Sequence, residues 1–184
     1  MNQVQEMPVL NDLARLPEAI ERLAGLFERM REQPGFLAAE VLQNQASPRT
    51  ILVLHAWRDL ADWQRYQASP EKLAFTASRP AGLYDMAECG MNWRSLQADG
   101  AREGTLLRRE VIRRDSVDLL RGEGIAGCQT FVYQDALPAF AGCTLRLSRL
   151  AHASSAPSAP DALVDETYQS LHAVRAQQPS AVVP

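Results

Sequence analysis

The sequence predicts an α+β protein whose first hundred or so residues form one compact β-α-β-β-α-β unit. Three features carry that prediction: a long amphipathic helix, a hairpin with an apolar return strand, and a second helix that gives way to an alternating strand. A weak strand over Gln3–Leu10 comes first, closed by the break at Asn11-Asp12. From Pro17 to about Arg31, Ile20, Leu23, Ala24, Phe27 and Met30 recur at three- and four-residue steps, with charged residues between them. Pro17 suits a first helical turn, where its missing N–H costs nothing, and Pro34-Gly35 ends the helix. Phe36–Gln43 and Thr50–Trp57 flank a turn-rich connector and read as an antiparallel hairpin. The return run Ile-Leu-Val-Leu-His-Ala-Trp is apolar on both alternate faces, which implies cover on both sides. Two helices cannot supply both covers, so a second sheet is required, from another subunit or from later in the chain. A helix over about Leu60–Ala68 and a further turn opened by Ser69-Pro70 follow, and Met86–Leu96 alternates as a closing strand near residue 98.

The 184 residues are 46% hydrophobic and 22% charged with a net charge of −3, which is the balance of a globular protein with a real core. That balance lacks the positive excess that grips phosphate backbones, so no nucleic-acid partner is expected. Eighteen of the nineteen basic residues are Arg, with Lys72 the one lysine, and this reads as coding bias. Cys89, Cys128 and Cys143 are odd in number and widely spaced, so neither a disulfide framework nor a metal site is expected, and a reduced cytoplasmic setting fits. No leader or membrane-spanning run is read from the sequence.

Gln33-Pro34-Gly35-Phe36-Leu37, the hairpin ending in His55-Ala56-Trp57, and the run Asp59-Leu60-Ala61-Asp62-Trp63-Gln64-Arg65-Tyr66-Gln67-Ala68-Ser69 together resemble the antibiotic-biosynthesis monooxygenase family. The likeness covers about residues 1–98 and implies a ferredoxin-like domain of the kind that pairs into a dimeric α+β barrel. It also implies a cofactor-independent monooxygenase acting on a small aromatic molecule, in which a substrate carbanion reduces O₂ directly and the protein deprotonates, desolvates and orients. A non-catalytic small-molecule-binding or stress-response protein with the same fold is the alternative. The haem-degrading branch is not expected: its pocket tryptophan falls on Tyr66, its haem-ligating histidine on Thr76, and its first-strand asparagine has no counterpart in Val4–Leu10.

Within the candidate site, His55 would be the base and Tyr66 a hydrogen-bond donor, with Trp57, Trp63 and Trp93 as the walls of an aromatic pocket. Each also has a plainer reading, His55 as a core histidine bonded to backbone or to Tyr66, and the aromatics as core. His152 and His172 lack neighbours at ligand spacing, and the Arg108-Arg109 and Arg113-Arg114 pairs read as a solvated strand edge. No phosphate-loop, dinucleotide, nucleophile-elbow or zinc-protease motif occurs.

Residues 99–184 are expected to be a degenerate second copy of the first unit, the tandem repeat closing into an intramolecular α+β barrel that imitates the family's dimer. Thr105–Arg114 would be its first strand, Ser116–Arg121 a short helix, Cys128–Gln134 and Cys143–Leu150 its hairpin, Ala151–Pro160 a loop and Asp161–Arg175 its second helix. Asp161-Ala162-Leu163 and Tyr168-Gln169-Ser170 repeat the Asp-to-Tyr spacing of Asp59 and Tyr66. The alternative is an unrelated C-terminal extension around a homodimer.

Overall fold

The structure is a computed structural model that describes residues 2–86, 93–95, 106–113, 128–131, 133–134, 143–150 and 162–176. The elements of the first half are β1 (Asn2–Glu6), α1 (Leu16–Arg31), β2 (Phe36–Asn44), β3 (Ile51–Trp57), α2 (Leu60–Gln67), α3 (Pro70–Ala77) and β4 (Trp93–Ser95). Those of the second half are β5 (Leu106–Arg113), β6 (Cys128–Phe131), β7 (Tyr133–Gln134), β8 (Cys143–Leu150) and β9 (Ala162–Arg175).

The first strand is shorter than the sequence suggested. Pro8 has no N–H to give the ladder, so β1 stops at Glu6 and the chain continues as isolated bridges at Val9 and Leu10. The helix α1 forms where its periodicity places it, burying Ala19, Leu23, Leu26, Phe27 and Met30 on the sheet. Glu18 in its first turn and Arg29 and Arg31 in its last complement the helix dipole. At its end Gly35 takes φ +80°, a left-handed conformation that a β-carbon disfavours. Asp59 and Ser69 cap α2 and α3 by accepting from the backbone N–H of Asp62 (2.8 Å) and Lys72 (3.2 Å).

The strands form one sheet of order β6-β8-β5-β9-β2-β3-β1-β4-β7. Its two outer strands, β6 and β7, are separated in sequence by a single residue, and consecutive Cα atoms lie only about 3.8 Å apart. The ends of the sheet therefore meet, and it rolls up on itself. The four first-half strands lie in the order fourth, first, third, second, and β5, β6, β8 and β9 lie in the same order among themselves. The halves join edge to edge where β9 pairs with β2 and β7 with β4.

The rolled sheet explains why all seven residues of β3 are buried. Ile51, Val53 and Trp57 pack into the core under the helices with Leu23, Phe27 and Met30, whereas Leu52, Leu54 and Ala56 are buried on the opposite face.

The segment expected to be the helix Asp161–Arg175 is instead the 14-residue strand β9, paired on one side with β2 and on the other with β5. A register shift beside Val41/Leu42 is the physical reason for the misreading. It breaks strict alternation: Tyr168 opposite Asn44 and Val174 opposite Ala39 lie on opposite faces of the sheet although six residues separate them. Long-range pairing on both edges decides the outcome. His172 then lies flat on Phe27 of α1, with ring centroids 6.2 Å apart. The expected helix at Ser116–Arg121 and loop at Ala151–Pro160 lie outside the described residues, as does most of Met86–Leu96.

Candidate active-site cleft

Alternation along β3 turns Val53, His55 and Trp57 toward the helices, and the register with β1 sets Glu6 opposite Val53 on that same face. His55 is buried, and its Nδ1 accepts a 2.8 Å hydrogen bond from Trp57 Nε1. An indole N–H can only donate, so Nδ1 is the acceptor and the ring proton sits on Nε2. Nε2 in turn faces Glu6 Oε1 at 3.7 Å. The bond to Trp57 stands in place of the backbone or Tyr66 partner that the plainer sequence reading supposed.

Trp57 is fully buried. It stacks on Tyr66 of α2 with centroids 5.0 Å apart and meets the edge of Phe36 at 5.5 Å. The Tyr66 hydroxyl is buried without a hydrogen-bond partner. Burial, reinforced by the nearby charge of Glu6, pushes its phenol well above the ordinary value. Trp63 packs half-buried against the same core. Trp93 lies on β4 opposite Gln5, and its side chain falls outside the described residues. The fold thus gathers His55, Trp57 and Tyr66 into one packed cluster with Trp63 at its margin.

The open space lies one layer in front of that cluster. A cleft of about 360 Å³ is bounded by α1, the end of β1, α3 and the segment that follows α3. Its walls include Glu6, Arg22, Lys72, Phe75, Arg79 and Tyr84, with Leu23, Val53 and Met86 adding apolar surface. None of the five residues selected from the sequence lines it among the described residues. Glu6 is the link, since its Oε1 lies 3.7 Å from His55 behind and 3.6 Å from Lys72 Nζ in the cleft. Burial alone would raise the Glu6 carboxyl, but the approach of the His55 Nε2–H and the charge of Lys72 outweigh it and hold the pKa at about 2.

The cations are built in differently. Arg22 stacks over the Phe75 ring at 4.0 Å and donates to the carbonyls of Phe75 and of Ser78, the latter at 3.0 Å, which ties α1 to the C-terminal end of α3. Burial pushes its pKa below the usual guanidinium value. Arg79 Nη1 approaches Met86 Sδ at 2.9 Å across the rim. Lys72 is held by the charge of Glu6 and by its distance of 5.8 Å from the Phe75 centroid.

Sequence reasoning passed over Glu6, Lys72, Arg22 and Arg79 because they come from four separate segments with no shared spacing. One signal was available: Lys72 is the single lysine in a chain of eighteen arginines. A compact ammonium there bonds differently from a planar guanidinium. Among the described residues no helix is long and apolar enough to cross a membrane.

Residues 14–78 match the family model described as antibiotic biosynthesis monooxygenase. No curated protein matches the chain. Among solved structures, a candidate monooxygenase from Fusobacterium nucleatum subsp. nucleatum ATCC 25586 is similar with a TM-score of 0.68 at 8% identity, covering 95% of this chain and 94% of that one. A candidate monooxygenase from Lactobacillus acidophilus NCFM gives 0.64 at 6% identity, with 95% and 96% covered. An anthrone oxidase-like protein gives 0.66 at 13% identity, with 100% and 96% covered. Identities this low establish likeness of fold, and the likeness runs the full length of the chain. The matched segment holds α1, the β2–β3 hairpin, α2 and α3, and so contributes Arg22, Lys72 and Phe75 to the cleft while Glu6 and Tyr84 lie beyond its ends. Residues 14–78 of this chain are thus similar to an antibiotic biosynthesis monooxygenase domain.

Proposed function

We propose that the chain is a cofactor-independent monooxygenase that acts on a small aromatic molecule held in the cleft between α1, α3 and the sheet. One observation carries the reading. A space of about 360 Å³, at the lower end of the range for small-molecule sites, joins the aromatic faces of Phe75 and Tyr84 to a Glu6–Lys72 pair backed by His55.

The chemistry suited to it is oxidation of an activated aryl methylene. Loss of a C–H proton leaves a carbanion that reduces O₂. One oxygen atom enters as the new carbonyl and the other leaves as water with the two methylene hydrogens, so no external reductant is needed. In this scheme Glu6 is the carboxylate beside the substrate and Lys72 stabilises the developing negative charge. His55, with its ring proton on Nε2, orients Glu6, while Trp57, Tyr66 and Trp63 set the rigid wall behind it. Trp93 is assigned to the wall by sequence alone. The same proposal takes residues 1–98 as one unit and 99–184 as a degenerate second copy, supported by the matching strand order of the two halves.

A second reading, a binding protein without turnover, draws support from Glu6 itself, since a carboxyl held at about 2 is a weak base. Oxygen uptake on anthrone separates the two. The monooxygenase reading expects protein-dependent uptake of one O₂ per anthrone with no haem, flavin or metal added. Binding of anthrone with uptake at the protein-free rate would overturn it in favour of the second.

A further inference from the structure

We infer that the cleft selects aromatic molecules bearing a negative charge, an arene carboxylate or a phenolate, and that Lys72 receives that charge. The inference rests on the reading of the cleft as the substrate site and adds the substrate's charge to it. Among the described residues, three cationic side chains, Arg22, Lys72 and Arg79, line the walls against the single carboxylate of Glu6. Arg22 and Arg79 are anchored to protein atoms and contribute chiefly field.

Lys72 differs from them. Its Nζ stands 3.6 Å from Glu6, a charge contact longer than a hydrogen bond, so its N–H donors remain available to a ligand. Its side chain is only 14% exposed, and water therefore screens it less than a surface lysine. Phe75, under Arg22 and within reach of Lys72, offers a ring face on which a flat molecule can lie while its charged edge meets Nζ. A neutral aromatic would leave the excess positive charge of the cleft uncompensated.

The test is equilibrium binding of 2-naphthoate and of its neutral isostere 2-naphthamide to the full chain, with 2-naphthol as a third arm. Naphthoate should bind about tenfold tighter than naphthamide, the order of effect a net unit charge exerts at contact distance in a partly hydrated cleft. Lys72→Met should bring the two ligands close to parity. Glu6→Gln should instead tighten naphthoate severalfold and leave naphthamide unchanged, a gain that damage to the fold cannot imitate. A bound naphthol that ionises at lower pH than the free one assigns the site to phenolates as well, and a preference confined to naphthoate assigns it to carboxylates. Equal affinity for naphthoate and naphthamide overturns the charge selection while leaving an aromatic site standing. Failure of all three ligands to bind folded protein overturns the reading of the cleft beneath it.

Discussion

Replacing Gly35 by Ala isolates the contact that joins two turns of the first half, Pro34-Gly35-Phe36 and Asp59–Asp62. Gly35 has φ +80°, and an L-residue pays about 1–2 kcal/mol to enter that region. A β-carbon there would also lie 1.9 Å from Asp62 Oδ2, 2.3 Å from Cγ and 2.7 Å from Cβ. The Cβ contact cannot be relieved by rotating the carboxylate, so backbone must move, an overpacking effect of about 1–3 kcal/mol. Asp62 is buried and held by Arg58 at 2.7 Å and Arg65 at 2.9 Å, which resists that movement. Gly35→Ala should therefore destabilise the protein by about 2–5 kcal/mol, read from the urea midpoint. In an Asp62→Ala background the two closest contacts vanish and only Cβ remains, so the same substitution should cost about 1–2 kcal/mol less. If the cost of Gly35→Ala agrees in the two backgrounds within about 0.5 kcal/mol, Asp62 is not the obstacle and the steric reasoning fails.

The first half was legible in sequence because its signals are local and repeated. α1 carries about four turns' worth of periodicity between a proline and a Pro-Gly stop, and β3 announced cover on both faces by being apolar on both. β9 was not legible, because its two neighbours lie far away in the chain and a register shift beside Val41/Leu42 erased its period of two. With that strand read as a helix, the repeated Asp-to-Tyr spacing lost its structural counterpart: Tyr66 lies on α2, whereas Tyr168 lies on β9 opposite Asn44. The strand order, which depends on pairing alone, turned out to be the feature that the two halves share.

The site shows the same division between local and assembled information. His55, Trp57 and Tyr66 stood out by residue type, and they do meet, but as a sealed cluster in which an indole N–H occupies the imidazole lone pair. The groups that face open space are set by tertiary geometry: Glu6 ends a strand, Arg22 sits mid-helix, Lys72 follows a serine cap and Arg79 follows α3. Residue type reveals what can do chemistry, whereas the layer a residue occupies decides whether it can reach a ligand.

Two further expectations follow from the layer behind the cleft. Glu6 is held at about 2 against an ordinary 4.5, so its pairing favours the folded state above about pH 4.5, and that contribution is lost as pH falls toward 2. The stability gap between wild type and Glu6→Gln, measured by urea titration, should therefore close on acidification, and a gap constant across that window would sink the assignment. Tyr66→Phe tests the cluster itself. The hydroxyl it removes is buried and accepts or donates no hydrogen bond, and a buried polar group in that condition costs about 1–3 kcal/mol. The ring keeps its stack on Trp57 5.0 Å away, so packing is preserved. Stability should stay level or rise by up to about 1 kcal/mol, the opposite sign from most core substitutions. Because Tyr66 does not line the cleft, kcat and KM for any turned-over substrate should stay within about twofold of wild type. A fall in kcat of about tenfold or more, with the urea midpoint unmoved, would show that the hydroxyl reaches the reacting atoms and return Tyr66 to the role of donor that its sequence position first suggested.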